Sequence, residues 1–511
     1  MSYISAPPRN QLMLPYSIDE YVSEDNVVRF IDAFVDKVLE GMPESERQAF
    51  QRCKSEEGRP GYTANCLCKL LIYGYLNSIS SSRKLEAETK RNLESIWLMN
   101  NLQPDYWTIS NFRKENRKLI KEITIKFRQF LMDSGYITGK SISTDGTKIK
   151  AYASQGLSLK LIEKKLTHAE KEIERYLSLL NDNDALENEQ EEMLSTSNAL
   201  KSQISDLQRK IKELKSQKIM LEKLGLVSLA PSDPEAKLMK TNDGFRHAYN
   251  VQMTADNDSH FITSCEVTDY PNDFYALEEN VDAVTEQLGI VPEAVVADGG
   301  FSNEEQVKAL EERGIECIVA FPGEPELQRI RRENGITFTY DQHADCFKCS
   351  QGKTLLLVQK NCNKNNRFYN RYQCRECDQC PKKQQCTTSK TGRYIYRRID
   401  GEWLQNYRAK MKTREFKDKY RIRNCVAEHP FATMRYLMGQ IPLLLRGKEK
   451  VQIEIDLYST AYNLKRMLNV GVIPDLLEKL AQWLPNPASG GELTLFGLKI
   501  RSFSPVFSAA A

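Results

Sequence analysis

The sequence predicts a mixed α/β fold, and three observations predict it. Between residues 141 and 321, alternating and short apolar runs are separated by helix-length segments, in the order strand, strand, strand, helix, strand, helix, strand. Residues 17–135, ahead of them, place apolar side chains three and four apart, the helical period. Two stretches stand apart from this series, a heptad repeat within 156–225 and a cysteine-rich segment within 323–392, and both read as insertions.

Taken in order, SIDEYVSEDNVVRFIDAFVDKVLEGM and ANCLCKLLIYGYLNSISSSRKLEAETKRNLESIWLM read as helices. After Pro104, DYWTISNFRKENRKLIKEITIKFRQFLMD begins another, with its cap expected near Thr108 or Ser110. Short helices with basic residues between them suit a helix-turn-helix DNA reader; a helical dimerisation domain is the plainer alternative. SISTDGTKIKAYA (141–153) and HAYNVQMTADNDSHFITSCEVTD (247–269) alternate as strands do, the second folding back at Asp256-Asn257-Asp258. A helix at 274–288, the buried-strand run AVVA (294–297), a helix at 303–314 and the strand ECIVAF (316–321) follow. This order matches a ribonuclease H-like fold if a helix closes the series.

Within the first insertion, Leu159, Ile162, Leu166, Ala169, Ile173, Tyr176 and Leu180 alternate spacings of three and four. Beyond Asn181-Asp182-Asn183-Asp184, Leu186, Met193, Leu200, Leu207, Leu214 and Leu221 recur every seven, with Ile204 and Ile211 as companions. The pattern predicts a coiled-coil hairpin or a longer dimeric coil, with a geometric role and no chemistry.

Composition sets limits on function. The chain has 511 residues, 72 Lys+Arg and 69 Asp+Glu, so its net charge of +3 names no partner, and nucleic acid would require clustered cations. A cluster exists: Arg393 to Arg423 holds eleven Lys and Arg against four Asp and Glu. No run of about 18 apolar residues occurs, which predicts no membrane span. The N-terminus, MSYISAPPRNQLMLPYSIDEY, lacks the charged and apolar regions of a secretory signal. The chain is therefore expected in a reducing cytoplasm, where thirteen cysteines do not form a disulfide framework.

Three carboxylates stand out. Asp145 lies inside the first strand beside a glycine, Asp298 ends the AVVA strand before two glycines, and Glu428 lies in the basic stretch KDKYRIRNCVAEHPFATMRYLMG. Ligands of open α/β sheets bind at strand carboxyl ends, where Asp298 falls. Gathered carboxylates repel one another, and divalent cations relieve that repulsion. Two Mg²⁺ ions about 3.5–4 Å apart can serve the attacking and leaving oxygens of an in-line phosphoryl displacement. Pro430 implies that the helix carrying Glu428 starts or kinks close to it.

Seven of the cysteines lie between Cys346 and Cys386. Zinc takes four thiolate or imidazole ligands, commonly as pairs two residues apart. Cys346/Cys349 and Cys377/Cys380 have that spacing, with Cys374/Cys377 as an alternative. Reduced thiols packed in a small insertion are the plainer reading. Cys53, Cys66, Cys68, Cys265, Cys317 and Cys425 lie among apolar residues and read as core. His429 adjoins Glu428 and could touch metal or DNA, and His247 reads as structural.

The stretches GRPGYTANCLCKLLIYGYL, STDGTKIKA, SDPEAKLMKTNDGFRHAYNVQMTAD, VVADGGFSN and YRIRNCVAEHPFATMRYLMG together resemble a bacterial insertion-sequence DDE (Asp-Asp-Glu) transposase, close to the insertion sequence 1182 family. The resemblance spans most of residues 55–440. It implies Asp145, Asp298 and Glu428 as a catalytic, metal-binding triad using two Mg²⁺ or Mn²⁺ ions, with hydrolysis at transposon ends followed by strand transfer. It implies Cys349, Cys377, Cys380 and Cys386 as structural zinc ligands, with Cys346 and Cys374 as alternates and Cys362 left over. Related families place Tyr, Arg, Glu and Lys at intervals of two, three and six. Tyr420 and Arg423 keep the first interval here, four residues instead of three separate Arg423 from Glu428, and Arg435 replaces the lysine, still with six residues between it and the Glu. Family spacing favours Arg423 as the basic partner, whereas steps of seven on a regular helix align Arg421, Glu428 and Arg435. Tyr420, Arg421, Arg423 and Arg435 are the implied DNA contacts.

The expected organisation is an N-terminal helical DNA-binding domain (1–135) and a ribonuclease H-like core (136–445) carrying the coil (156–225) and a zinc-binding insertion (323–392). A C-terminal helical segment and tail (446–511) would complete it. Expected partners are double-stranded DNA, both transposon ends and target, and a second copy of the chain, with no membrane. The expected location is the bacterial cytoplasm, at the nucleoid when bound to DNA. A metal-dependent nuclease without strand transfer would use the same acids. A domesticated DNA-binding protein would keep the helices and not need them.

Overall fold

The computed structural model describes residues 17–50, 61–154, 156–185, 191–241, 244–268, 270–321, 336–341, 343–364, 367–398, 402–426, 428–436 and 443–483. Among the described residues seven α-helices come first: α1 (Val27–Glu40), α2 (Glu44–Phe50), α3 (Ala64–Leu76), α4 (Ser82–Arg91), α5 (Leu93–Leu98), α6 (Tyr106–Glu115) and α7 (Arg117–Asp133). β1 (Ser141–Lys150) leads into a helical hairpin, α8 (Leu159–Ala185) and α9 (Glu191–Leu224). Next come β2 (Lys237–Thr241), β3 (Gly244–Asp256), β4 (Ile262–Thr268), α10 (Leu277–Leu288), β5 (Ala294–Ala297), α11 (Glu304–Glu312) and β6 (Glu316–Val319). A second sheet holds β7 (Phe338–Asp341), β8 (Cys346–Cys349), β9 (Thr354–Lys364), β10 (Arg367–Gln373) and β11 (Tyr394–Arg398), with the short α12 (Lys383–Cys386) before its last strand. The series closes with α13 (Glu402–Lys412), α14 (Arg414–Val426), α15 (Glu428–Tyr436), α16 (Lys448–Val470) and α17 (Ile473–Gln482).

The main sheet runs β2-β3-β1-β5-β6, with β4 also paired to β3. β3 is antiparallel to β1 and β4, whereas β5 is parallel to both β1 and β6. The hairpin insertion leaves this sheet undisturbed. β1 pairs Lys150 with Ala248 and β2 pairs Lys237 with the same Ala248, so the chain returns from the hairpin to the opposite edge of β3 from β1. At the base, Leu157 and Leu229 exchange backbone hydrogen bonds of 2.9 and 2.7 Å. The paired helices bury Ile162, Ala169, Ile204, Leu214 and Leu221, at heptad positions. Leu166, Ile173, Tyr176, Leu200, Leu207 and Ile211 are half-buried, and Leu159, in the first turn of α8, is exposed. The side chains of Leu180, Leu186 and Met193 lie outside the described residues.

The alternation in β3 does not mark a solvated face. Asn250, Gln252 and Thr254 are as buried as the apolar residues between them. Gln252 and Thr254 are satisfied by a polar network: Thr254 Oγ1 to Thr144 Oγ1 (3.2 Å), and Asn280 Nδ2 of α10 to Thr144 Oγ1 (2.7 Å) and Gln252 Oε1 (3.0 Å). Buried polar groups are tolerable only when paired, and such networks fix one arrangement of the strands that carry them.

α16 solves the edge-strand problem of β4. Gln452 accepts the Val267 N–H (2.7 Å) and donates to the Cys265 carbonyl (2.9 Å); Asn463 accepts the Ile262 N–H (2.8 Å) and donates to its carbonyl (2.9 Å). Eleven helical residues span about 16.5 Å and five strand residues about 17 Å, so one straight helix reaches both ends of the edge. Gln452→Met and Asn463→Leu, which keep volume, should each cost about 2–4 kcal/mol by stranding two buried backbone groups. The lowered denaturation midpoint measures this; an unchanged midpoint in both contradicts the clamp.

On its other sides α16 packs against α3 and α7, so the N-terminal helices share one apolar core with the sheet. α3 is buried along almost its whole length, and the exposed cations of this region lie elsewhere, at Arg83, Lys84, Lys90 and Arg91 of α4 and Lys114 and Lys118 of α6 and α7. The cap of α6 differs from expectation. Asp105, not Thr108 or Ser110, is the cap, and its Oδ1 accepts the N–H groups of Trp107 and Thr108 at 2.9 Å each. A carboxylate directly after Pro104 meets the free N–H groups and positive helix end one turn earlier. Among the described residues no helix is long and apolar enough to cross a membrane.

Candidate active site

The pairing of β1 with β5 brings two of the three expected acids together. In this parallel register Ser143 sits opposite Val296, and Asp145 and Asp298 each lie two residues beyond. Two residues is one strand period, so both carboxylates leave neighbouring strand paths on the same side. β5 ends at Ala297, and Asp298 caps the following turn, its Oδ1 accepting the Gly300 N–H at 2.7 Å. Asp145 Oδ1 accepts the Gly146 N–H at 3.0 Å.

Arg423 stands between them. Its Nη2 lies 3.3 Å from Asp145 Oδ1 and 3.5 Å from Asp298 Oδ2, and its side chain is 10% exposed. On α14 the spacing of Phe416, Tyr420 and Arg423 puts all three on one face, with Phe416 buried and Tyr420 packed on the core. Arg421 and Ile422 face solvent. Of the two arginines left open by the sequence, Arg423 is the one that meets the carboxylates. Burial pushes the Asp145 carboxyl up to about 6; the Arg423 charge opposes this, and Asp298 and then Asp273 add to it. Without a nearby cation the ionised form of this carboxylate is disfavoured.

Asp273 is a neighbour that the sequence reading missed. It follows β4 in the loop DYPNDFYAL, and its Oδ1 accepts from Gln252 Nε2 (2.6 Å) and Asn250 Nδ2 (2.8 Å), while Lys148 Nζ lies 3.4 Å from Oδ2. Gly146 makes room for it: a Cβ there would fall 2.1 Å from Asp273 Oδ1. The available signal was the run of amide side chains at alternate positions of a central strand, Asn250 and Gln252, which need an acceptor.

α15 begins at Glu428, which places Pro430 in the first turn, where its missing N–H costs nothing. α15 packs on α14 and α16. The side chains of Glu428 and Arg435 lie outside the described residues. His429 turns to α16, its Nδ1 3.0 Å from Tyr462 Oη, which itself donates to the His260 carbonyl.

Beside the acids, α13 and α14 form a cleft of ≈ 640 Å³ with Met411, Phe416 and Tyr420 among its lining residues. Lys412, Arg414, Lys417 and Arg421 contribute its cations against one acid, Asp418. Ala320, also in the lining, has its carbonyl against Gly299, next to Asp298. The cleft and the carboxylate pair therefore adjoin.

In the second sheet, the expected insertion is a five-stranded antiparallel unit, β11-β10-β9-β8-β7, which the cysteine spacing did not reveal. Cys349, Cys374, Cys377, Cys380 and Cys386 line one small pocket with Phe338 and Leu355. Cys349 Sγ accepts the Lys353 N–H (3.4 Å) across a turn with Gly352 at φ +73°, and Cys377 Sγ accepts the Arg393 N–H (3.5 Å). Such bonds stabilise thiolate. Burial raises the Cys386 thiol, with Cys377, Cys349 and Cys380 adding to the shift, and pushes Cys374 up to about 12. Cys346 and Cys362 lie on β8 and β9 outside the pocket lining. Among the described residues no group of three or more His, Cys, Asp or Glu has a metal-holding arrangement, so both metal expectations rest on donor chemistry. Of the scattered cysteines, Cys66, Cys68, Cys265 and Cys317 are core as expected, Cys425 is exposed on α14, and Cys53 lies outside the described residues.

Compared with known protein families, residues 348–468 match a transposase DDE domain and residues 16–115 match a transposase domain (DUF772). The first match contains the five cysteines of the pocket, Arg423 and Glu428; Asp145 and Asp298 lie between the two. Neither the curated proteins nor the solved structures compared with the chain gave a match.

Proposed function

We propose that this protein is a DDE transposase of an insertion sequence, nearest the insertion sequence 1182 family, that binds terminal inverted repeats and catalyses DNA strand cleavage and strand transfer. The observation that carries the reading is the convergence of Asp145 and Asp298 from adjoining parallel strands onto one basic side chain of α14. The strand order β4-β3-β1-β5-β6, with α13–α15 after it, supports a ribonuclease H-like core. Both family matches support the transposase assignment.

In this reading Asp145 and Asp298, with Glu428 from the first turn of α15, hold two Mg²⁺ or Mn²⁺ ions. When bound, these ions supply charge to the attacking and leaving oxygens of the phosphodiester. The donor set fits, because two carboxylates, one largely buried and disfavoured as an anion, already share a cation. Lys412, Arg414, Lys417 and Arg421 hold the phosphate backbone in the adjoining cleft, and Tyr420 and Arg435 extend that track. Cys349, Cys377, Cys380 and Cys386 hold structural zinc that staples the second sheet, with Cys374 closest as an alternate. The α8–α9 hairpin acts as a coiled coil pairing two protomers at two DNA ends.

Lys412→Ala, Arg414→Ala and Lys417→Ala should each weaken binding of duplexes carrying the element ends and lower the salt slope of binding by about one. Mobility-shift titrations across salt concentrations measure this. Unchanged slopes in all three would remove the cleft from the DNA path.

A further inference from the structure

We propose that Arg423 is an internal counter-cation, holding Asp145 and Asp298 together in the DNA-free protein and yielding them to divalent metal only when DNA draws its guanidinium away. This rests on the reading of the two acids as metal ligands. A single nitrogen, Nη2, faces both carboxylates, at 3.3 and 3.5 Å, in the space between them. Two cations cannot share that space: a metal ion needs the oxygen lone pairs at about 2.0–2.1 Å, and a guanidinium beside it adds like-charge repulsion.

The hold is built to be given up. Charge-assisted N–H···O bonds run at about 2.7–2.9 Å, so contacts beyond 3.2 Å are mainly coulombic. Among the described residues Nε of Arg423 is buried without a hydrogen-bond partner, which leaves part of the fork unused. A phosphate offers that fork two parallel acceptors. The cation-lined cleft lies on the same helix, so the bound backbone would pass close to Arg423. Metal affinity and DNA affinity would then be thermodynamically linked through one side chain.

The test is Mn²⁺ binding, followed by calorimetry and by Mn²⁺ electron paramagnetic resonance, on the full chain with and without an uncleavable duplex carrying an element end. Wild-type protein should bind Mn²⁺ weakly alone and about tenfold or more tightly with duplex. Arg423→Gln should bind it tightly without duplex and gain little from adding it. Arg423→Lys, which keeps the charge on a shorter reach, should fall between, and it serves if the glutamine variant does not fold. Mn²⁺ affinity that is the same with and without duplex in wild type, or no higher in Arg423→Gln, overturns the inference. Asp298→Asn separates the two levels. If it leaves Mn²⁺ binding intact, the carboxylate pair is not the metal site, and the functional reading falls with the inference. If it abolishes binding while Arg423→Gln fails to raise it, only the counter-cation role falls.

Discussion

Asp145→Asn, Asp298→Asn and Glu428→Gln are each expected to reduce metal-dependent DNA cleavage by about a thousandfold or more while DNA binding persists. The amide keeps the size of each side chain and removes the charge that a divalent ion requires. Binding should survive because the proposed DNA path lies elsewhere, along the cations of the α13–α14 cleft. Folding should survive as well. In either Asp variant Arg423 keeps one carboxylate, and the polar network of Asn280, Thr144 and Gln252 on the other face of β1 is untouched. Nicking of an end-labelled duplex, read beside a mobility shift, measures both. Cleavage at the wild-type rate in any one variant removes that residue from the chemistry.

Loss of the proposed zinc should unfold the second sheet while leaving the first intact. Among the described residues its apolar cluster holds eight buried residues, including Phe338, Phe347, Leu355 and Tyr372, which is little apolar burial for five strands. A structural zinc site contributes on the order of 10–16 kcal/mol at neutral pH, more than such a core supplies. Cys377→Ser or Cys380→Ser should abolish zinc binding and expose residues 336–398 to proteolysis, whereas Cys346→Ser should keep the metal. Purified chain should carry one zinc per protomer, by elemental analysis. A protein reconstituted with zinc that retains none, and whose serine variants resist protease as wild type does, would contradict the assignment.

What the sequence made legible followed from local period. β5 spans the AVVA run itself, and the α8–α9 seam buries heptad positions, because a buried parallel strand and a helix pair each write their period into the residues. The carboxylate pair was legible too, since Asp145 and Asp298 stand on or at the end of strands beside glycines. What stayed hidden depended on distant partners. Asp273 looks like a loop acid until Asn250 and Gln252 are seen to donate to it. Gln452 and Asn463 look like ordinary amides of a helix until their spacing meets the edge of β4. β7–β11 were obscured by cysteines, whose spacing speaks of metal and says nothing of strands. The choice between Arg421 and Arg423 turned on which face of α14 is buried, and Phe416 and Tyr420 decide that.

The most direct test of the central claim incubates the purified chain with labelled duplexes carrying the element ends, Mg²⁺ and an unlabelled target. Transposase chemistry predicts cleavage at the ends together with labelled products joined to target, both lost in Asp145→Asn. Cleavage with no joined product would make the protein a nuclease, and binding with neither would contradict the enzymatic account altogether.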